Sequence, residues 1–250
     1  FLILKIKNME HHPKPPKIFD KSVGLQSETS TSLSKNFVAN VFSWMVVGLL
    51  TTAAVAWYGA STGLYQSLML SGGILPWIIM LSPFGFILAM NFGLEKFSAT
   101  TLTMMFIAFS ACMGLSLSSV FLLYSLGSVF QVFIVTAGTF CVMAIAGYTT
   151  SIDLTRLGSL LFMGLIGIIL ASIVNWFIGS STMDLIISII GVLVFTGLIA
   201  YDTQRIKMIG MSIDNESSTA SKLAILAATS IYLDFINLFL FLLRLLGRRD

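Results

Sequence analysis

From Phe37 onward the chain is a succession of about seven apolar stretches, near residues 37–60, 75–95, 101–124, 129–149, 158–179, 184–206 and 221–246. At 1.5 Å per residue each is long enough to cross about 30 Å of hydrocarbon. Composition supports the same solvent: 56% of the 250 residues are hydrophobic and 10% charged, against roughly 25% charged in a soluble domain. The expected fold is therefore an all-α integral membrane protein of about seven transmembrane helices.

The separators carry turn chemistry: "GASTG", "SGG" ahead of Pro76, "YSLGS", "TTSIDLTRLGS" and "IGSSTMD". Before them, residues 1–35 are polar, proline-punctuated and weakly basic, and are expected to form a disordered cytoplasmic arm, with residues 36–250 as the membrane domain. The opening "FLILKIKN" is too short to span a bilayer, and Met9 is a plausible initiator. His11 and His12 lie in this arm without further ligands and are read as solvated. Cys112 and Cys141 fall inside apolar runs with no paired spacing and are read as small packing residues.

Lysine and arginine occupy alternate connections: the arm (Lys14, Lys17, Lys21, Lys35), the Lys96 turn, the Arg156 loop and the Arg205/Lys207/Lys222 loop. Basic loops stay on the cytoplasmic side, so the N-terminus is expected inside. The net charge of +3 gives nucleic-acid binding no support. Seven full spans would place Arg244, Arg248 and Arg249 outside, whereas a re-entrant last segment would return them inside. Gly164, Gly167, Gly191, Gly197 and the "GLSLSS" run from Gly114 to Ser119 are expected at helix contacts, as small residues let backbones approach. Asn91, Asn175 and Thr196 are read as interhelical hydrogen-bond formers or as pathway lining.

Two acids stand out. Asp202 closes the sixth stretch in "GLIAYDTQRIK", and Asp234 lies within the seventh in "SIYLDFINLFLFLLRLLG". An Asp near the centre of a membrane helix costs about 2.5–3.5 kcal/mol on insertion, so such residues face a bundle interior, a cavity or a partner. If the sixth helix continues past Arg205, the two acids approach one another. Carboxylates meeting in low dielectric cannot both ionise comfortably and come to share a proton. Losing that proton leaves adjacent negative oxygens able to attract a hard cation such as Ca²⁺. Asn237, one turn beyond Asp234, is placed to extend the polar site, as is Tyr201 beside Asp202. Taken alone, Asp202 also reads as a helix-end residue at the interface near Arg205 and Lys207.

A pair of intramembrane acids raises an aspartyl-protease reading as well, with Tyr201–Asp202 as its "YD" element. The second acid sits in "YLDF", without the glycines of a G-x-G-D setting. G-x-S-x-G occurs once, as the "GASTG" separator (Gly59 to Gly63), but both histidines lie in the arm, so its serine lacks the usual general base; neither H-E-x-x-H nor a P-loop occurs. Catalysis is not expected.

The segments "AYDTQRIK", "IYLDFINLFLFLLRLLG", "MGLSLSSVFLLY" and "GYTTSIDLTRLGS" together resemble the Bax inhibitor-1 family of multi-pass membrane proteins, in its bacterial branch. The resemblance covers Phe37 to Gly247. It implies a bundle with a central last helix acting as a pH-sensitive calcium leak channel in the inner membrane, with Asp202 and Asp234 as the pH-sensing pair and no cofactor beyond the permeant Ca²⁺. It also leaves a runner-up, a non-conducting regulator that binds another membrane protein such as a protease. Some relatives place an arginine on the second span against the pair; residues 75–95 here contain none. The polar stretch "MIGMSIDNESSTASK" between the acids reads as a surface-loop insertion.

Overall fold

The computed structural model describes residues 21–213 and 217–248, without the side chains of 21–33 and Leu75. Among these residues all regular structure is helical: α1 (Lys21–Ser61), α2 (Leu64–Leu70), α3 (Leu75–Phe92), α4 (Ala99–Leu117), α5 (Val120–Leu123), α6 (Leu126–Thr149), α7 (Thr155–Ile178), α8 (Ser181–Ser212) and α9 (Ser218–Leu246). Helices are what hydrocarbon demands, because there every backbone N–H and C=O must be satisfied within its own segment. Six of the apolar segments, Ser34–Ser61, Ala99–Leu123, Leu126–Thr149, Thr155–Ile178, Ser181–Ser212 and Ser218–Leu246, are long enough to span; Pro76–Phe92 is a shorter seventh.

Local chemistry sets the ends. Ser98, Ser180 and Ser217 cap α4, α8 and α9, each side-chain oxygen accepting a backbone N–H from the first turn, a contribution of about 1 kcal/mol per cap. Gly179 closes α7 in the left-handed region (φ 68°), where a Cβ would be strained. Pro83, inside α3, has no N–H to give to the Ile79 carbonyl. Hydroxyls replace it: Ser82 Oγ donates to that carbonyl at 3.0 Å and Ser116 Oγ, from α4, at 3.3 Å. The defect in α3 thus becomes a tie between α3 and α4.

The last helix is the axis of the bundle. In its most apolar window 72% of α9 is buried, against 11% for α7, and α9 packs on α1, α3, α4, α6 and α8. It is unbroken from Ser218 to Leu246, about 44 Å at 1.5 Å per residue. The re-entrant alternative is therefore not realised. Tyr232 sits at the centre of the packing, its ring 5.4 Å from Phe109 and 6.1 Å from Phe106 in edge-on geometry. Its hydroxyl meets Thr52 Oγ1 at 2.7 Å, and Thr52 Oγ1 donates to the Ser110 carbonyl at 2.9 Å. One buried network so joins α1, α4 and α9.

Several expectations are corrected by the packing. Residues 21–35, read as belonging to a disordered arm, continue α1 as a helix; extending an existing helix avoids the cost of nucleating one. Ser34 is buried there and donates to the Lys207 carbonyl at 3.0 Å. Met9, His11 and His12 lie outside the described residues. Most of the polar stretch between the acids, read as a surface loop, is helix, since α8 runs to Ser212 and α9 begins at Ser218. Gly114, Gly164, Gly191 and Gly197 lie at contacts between helices, whereas Gly167 faces open space. Cys112 is half-buried and Cys141 exposed, so Cys141 is not a packing residue. Asn175 is an interhelical bond former: its Nδ2 donates to Asp184 Oδ1 at 3.1 Å, pinning the α7–α8 hairpin. Asn91 instead bonds its own helix, at the Ile87 carbonyl.

Candidate functional site

The connections that carry the basic residues come together at one end of the bundle. Lys222 Nζ donates to the Leu94 carbonyl (3.3 Å), Lys207 Nζ to the Tyr148 carbonyl (2.8 Å), and Ser34 joins the start of the α1 span to α8. Each lysine thus meets a backbone carbonyl at or just past the C-terminal end of a helix, where a cation is favoured. At the other end, the Arg248 backbone N–H donates to Ser128 Oγ at 2.8 Å and its carbonyl accepts from the Ser125 N–H.

The extension of α8 past Arg205 to Ser212 lets both acids reach the α8–α9 interface. Asp202 and Asp234 are 8% and 7% exposed, within hydrogen-bonding range of one another. Ser230, one turn before Asp234 on α9, donates its hydroxyl to Asp202 Oδ2 at 2.5 Å. Asp234 Oδ2 is buried and has no hydrogen-bond partner among the described residues. A buried, unpaired carboxylate oxygen carries a large desolvation cost. A proton shared with Asp202 would remove that cost and turn repulsion into a hydrogen bond.

The cation nearest in sequence is Arg205, three residues on from Asp202 on α8, close enough for its charge to act on Asp202 and on Tyr201. The structure thus offers a positive group from the same helix, where the second span has none. Of the other sequence-predicted residues, Tyr201 is adjacent but turned toward α7, its ring filling the space beside Gly158. Asn237 spends its Nδ2 on the Leu233 carbonyl of its own helix at 2.8 Å. It therefore adds no donor to the pair. Sequence reasoning missed Ser230 and Gln204. Ser230 lies four residues before Asp234, so helical spacing alone could have found it; nothing local marks Gln204.

Among the described residues no three His, Cys, Asp or Glu side chains gather in one place. The oxygens at the pair are the two carboxylates and one hydroxyl, fewer than the six to eight that Ca²⁺ takes in a binding cage.

A polytopic helical bundle around a central last helix, with an acid pair buried where that helix meets its neighbour, defines a membrane protein of the Bax inhibitor type. The family described as "Inhibitor of apoptosis-promoting Bax1" matches residues 34–250, and the chain belongs to this Bax inhibitor-1 family. It is 41% identical over 242 residues to Inner membrane protein YbhL of Escherichia coli K12, covering 96% of this chain and 100% of that one. An uncharacterized protein of Borreliella burgdorferi is 42% identical over 228 residues, 91% of this chain and 98% of its own. One of Rickettsia prowazekii is 39% identical over 232 residues, 89% and 98% respectively.

Proposed function

We propose that the chain is a pH-sensitive calcium leak channel of the bacterial inner membrane, in which protonation of the Asp202/Asp234 pair closes the path between α8 and α9. The observation that carries this reading is the juxtaposition itself: two buried carboxyls on neighbouring helices, one with an oxygen lacking a partner. With one proton between them the carboxyls bond α8 to α9. Without it, two unit charges about 4 Å apart repel by about 4 kcal/mol at an effective dielectric constant of about 20. That is ample to separate helices whose association rests on close packing and a few hydrogen bonds. It also presents negative oxygens to an entering Ca²⁺. The name of the E. coli relative supports the inner membrane. The basic residues support a cytoplasmic basic end, and with it a cytoplasmic N-terminus.

The test is Ca²⁺ flux into sealed liposomes across pH 5 to 8, for wild type, Asp202→Asn and Asp234→Asn. Flux that rises with pH in wild type and loses that response in the variants is expected. No flux above empty liposomes at any pH, from folded protein, would refute the channel and favour a regulator that binds another membrane protein.

A further inference from the structure

The turn of α8 that carries Asp202 has a second set of partners. Gln204 is buried, its Nε2 donating to the Ile152 carbonyl at 2.8 Å and its Oε1 accepting the Leu154 N–H at 2.9 Å. Both partners belong to residues 150–154, the connection between α6 and α7. The other bonds of this connection are local: Ile152 N–H to Thr150 Oγ1, Thr155 N–H to Asp153 Oδ1, Gly158 N–H to the Leu154 carbonyl. The tie to another helix is the Gln204 amide. Contacts on either side reinforce it. Lys207 Nζ reaches the Tyr148 carbonyl and lies 4.9 Å from the centre of its ring. A Cβ at Gly147 would collide with the Ala200 carbonyl oxygen, so α6 and α8 are in backbone contact there.

We propose that Gln204 is a positioning residue for the acid pair: its amide ties α8 to the α6–α7 connection and thereby fixes the depth and azimuth at which Asp202 meets Asp234. This rests on the pair being the gate. Asp202 and Gln204 are two residues apart on one rigid helix, so α8 cannot swing from α9 without straining the Gln204 bonds, nor lose those bonds without freeing Asp202 to move. The charged and titratable groups around them are Tyr201, Arg205 and Lys207 on α8, Asp234 on α9, Tyr148 on α6, and Asp153 and Arg156 beside the connection. Lys35 adjoins the Ser34 contact on α1.

The amide is specific to the task because it offers a donor and an acceptor in one plane. Leucine offers neither, while a glutamic acid offers both when protonated and no donor when ionised. Calcium flux from pH 5 to 8 in wild type, Gln204→Leu and Gln204→Glu tests this. Gln204→Leu should conduct severalfold more than wild type at pH 5, where the pair alone would hold the path shut. Gln204→Glu should match wild type at pH 5 and Gln204→Leu at pH 8. Asn175→Leu, which removes a buried amide from the opposite end of α7 and α8, should lower thermal stability and leave the pH profile in place. Profiles of both Gln204 variants that superimpose on wild type would overturn the proposal. A second readout needs no flux: at pH 8, amide exchange at Leu154 should be slower in Asp234→Asn than in wild type, and fast in Gln204→Leu whether or not Asp234 is intact. Equal Leu154 exchange in wild type and Asp234→Asn would overturn the coupling. Liposomes that carry no Ca²⁺ at all would refute the channel reading and leave the exchange comparison to decide the positioning role.

Discussion

Removing the Thr52 hydroxyl should cost more than removing the Tyr232 hydroxyl it bonds, and removing both should cost less than the sum. Thr52 has one hydroxyl proton, and it goes to the Ser110 carbonyl. The Tyr232 hydroxyl must therefore be the donor in its 2.7 Å contact with Thr52 Oγ1. In Tyr232→Phe the Thr52 proton keeps its acceptor and only a lone pair is left empty, a net loss of about 1 kcal/mol. Thr52→Val, nearly the same shape, leaves the Tyr232 O–H without an acceptor at a position that is 0% exposed. An orphaned buried donor costs about 1–3 kcal/mol. In the double variant no donor is orphaned, and replacing both partners by apolar groups of similar shape is close to neutral apart from the small void. A coupling energy of about 0.5–2 kcal/mol is expected from the cycle.

The assay is equilibrium unfolding in mixed detergent micelles, followed by circular dichroism, for wild type, the two single variants and the double. The order of stability expected is wild type, then Tyr232→Phe, then Thr52→Val, with the double variant above the level that additivity gives. Strict additivity, or Thr52→Val as stable as Tyr232→Phe, would show that the donor assignment is wrong.

Ser230→Ala removes a charge-assisted hydrogen bond to ionised Asp202 worth about 1.5–3 kcal/mol, so calcium flux should need a pH higher by about one unit or more; an unmoved flux profile would refute the contact's role. Gly147→Ala sets a methyl against the Ala200 backbone oxygen and should destabilise by about 1–3 kcal/mol. Gly138→Ala, with nothing within 4 Å, should be neutral or stabilising by up to about 1 kcal/mol, and detergent unfolding of the two separates packing from propensity. Asp153 accepts the Thr155 N–H, and this bonding to Thr155 holds its carboxyl below the usual carboxylate range. A lowered value means this turn bond is in place above the ordinary Asp titration and is lost as pH falls through the lowered one. Amide exchange at Thr155, corrected for its intrinsic pH dependence, should therefore gain protection above that range, and Asp153→Ala should abolish the gain.

The spans were legible because a stretch of some twenty apolar residues has few other uses, and six of the helices found coincide with such stretches. Helix ends were not. Hydropathy marks where the hydrocarbon stops, whereas α8 carries on through the polar "DTQRIKMIGMS" to Ser212, since a helix already formed extends at little cost and Ser217 caps the next one. That continuation is what lets Asp202 reach Asp234. The acids were legible through their cost in lipid. Gln204 was not, because a glutamine beside Asp and Arg gives no sign that its amide reaches a backbone 50 residues earlier. Asn237 illustrates the converse error: sharing a helical face with Asp234 does not commit an amide that can bond the carbonyl four residues before it.

The partners of the pair explain how a chain this apolar retains it. Gln204 and Lys207 reach residues 148–154 at the basic end, and Asp202 lies less than one turn of α8 from Gln204. Asp202 is therefore tied through its own helix to the basic end, although both carboxyls are buried. Arg205 stands on that same turn, close enough to act on the charge Asp202 acquires. Both protonation states are thus served by nearby groups, the shared proton by the facing carboxyl and the ionised form by Ser230 and Arg205. On the proposed channel reading, the Gln204 amide, which ties α8 to the α6–α7 connection, should decide opening as much as the acids beside it.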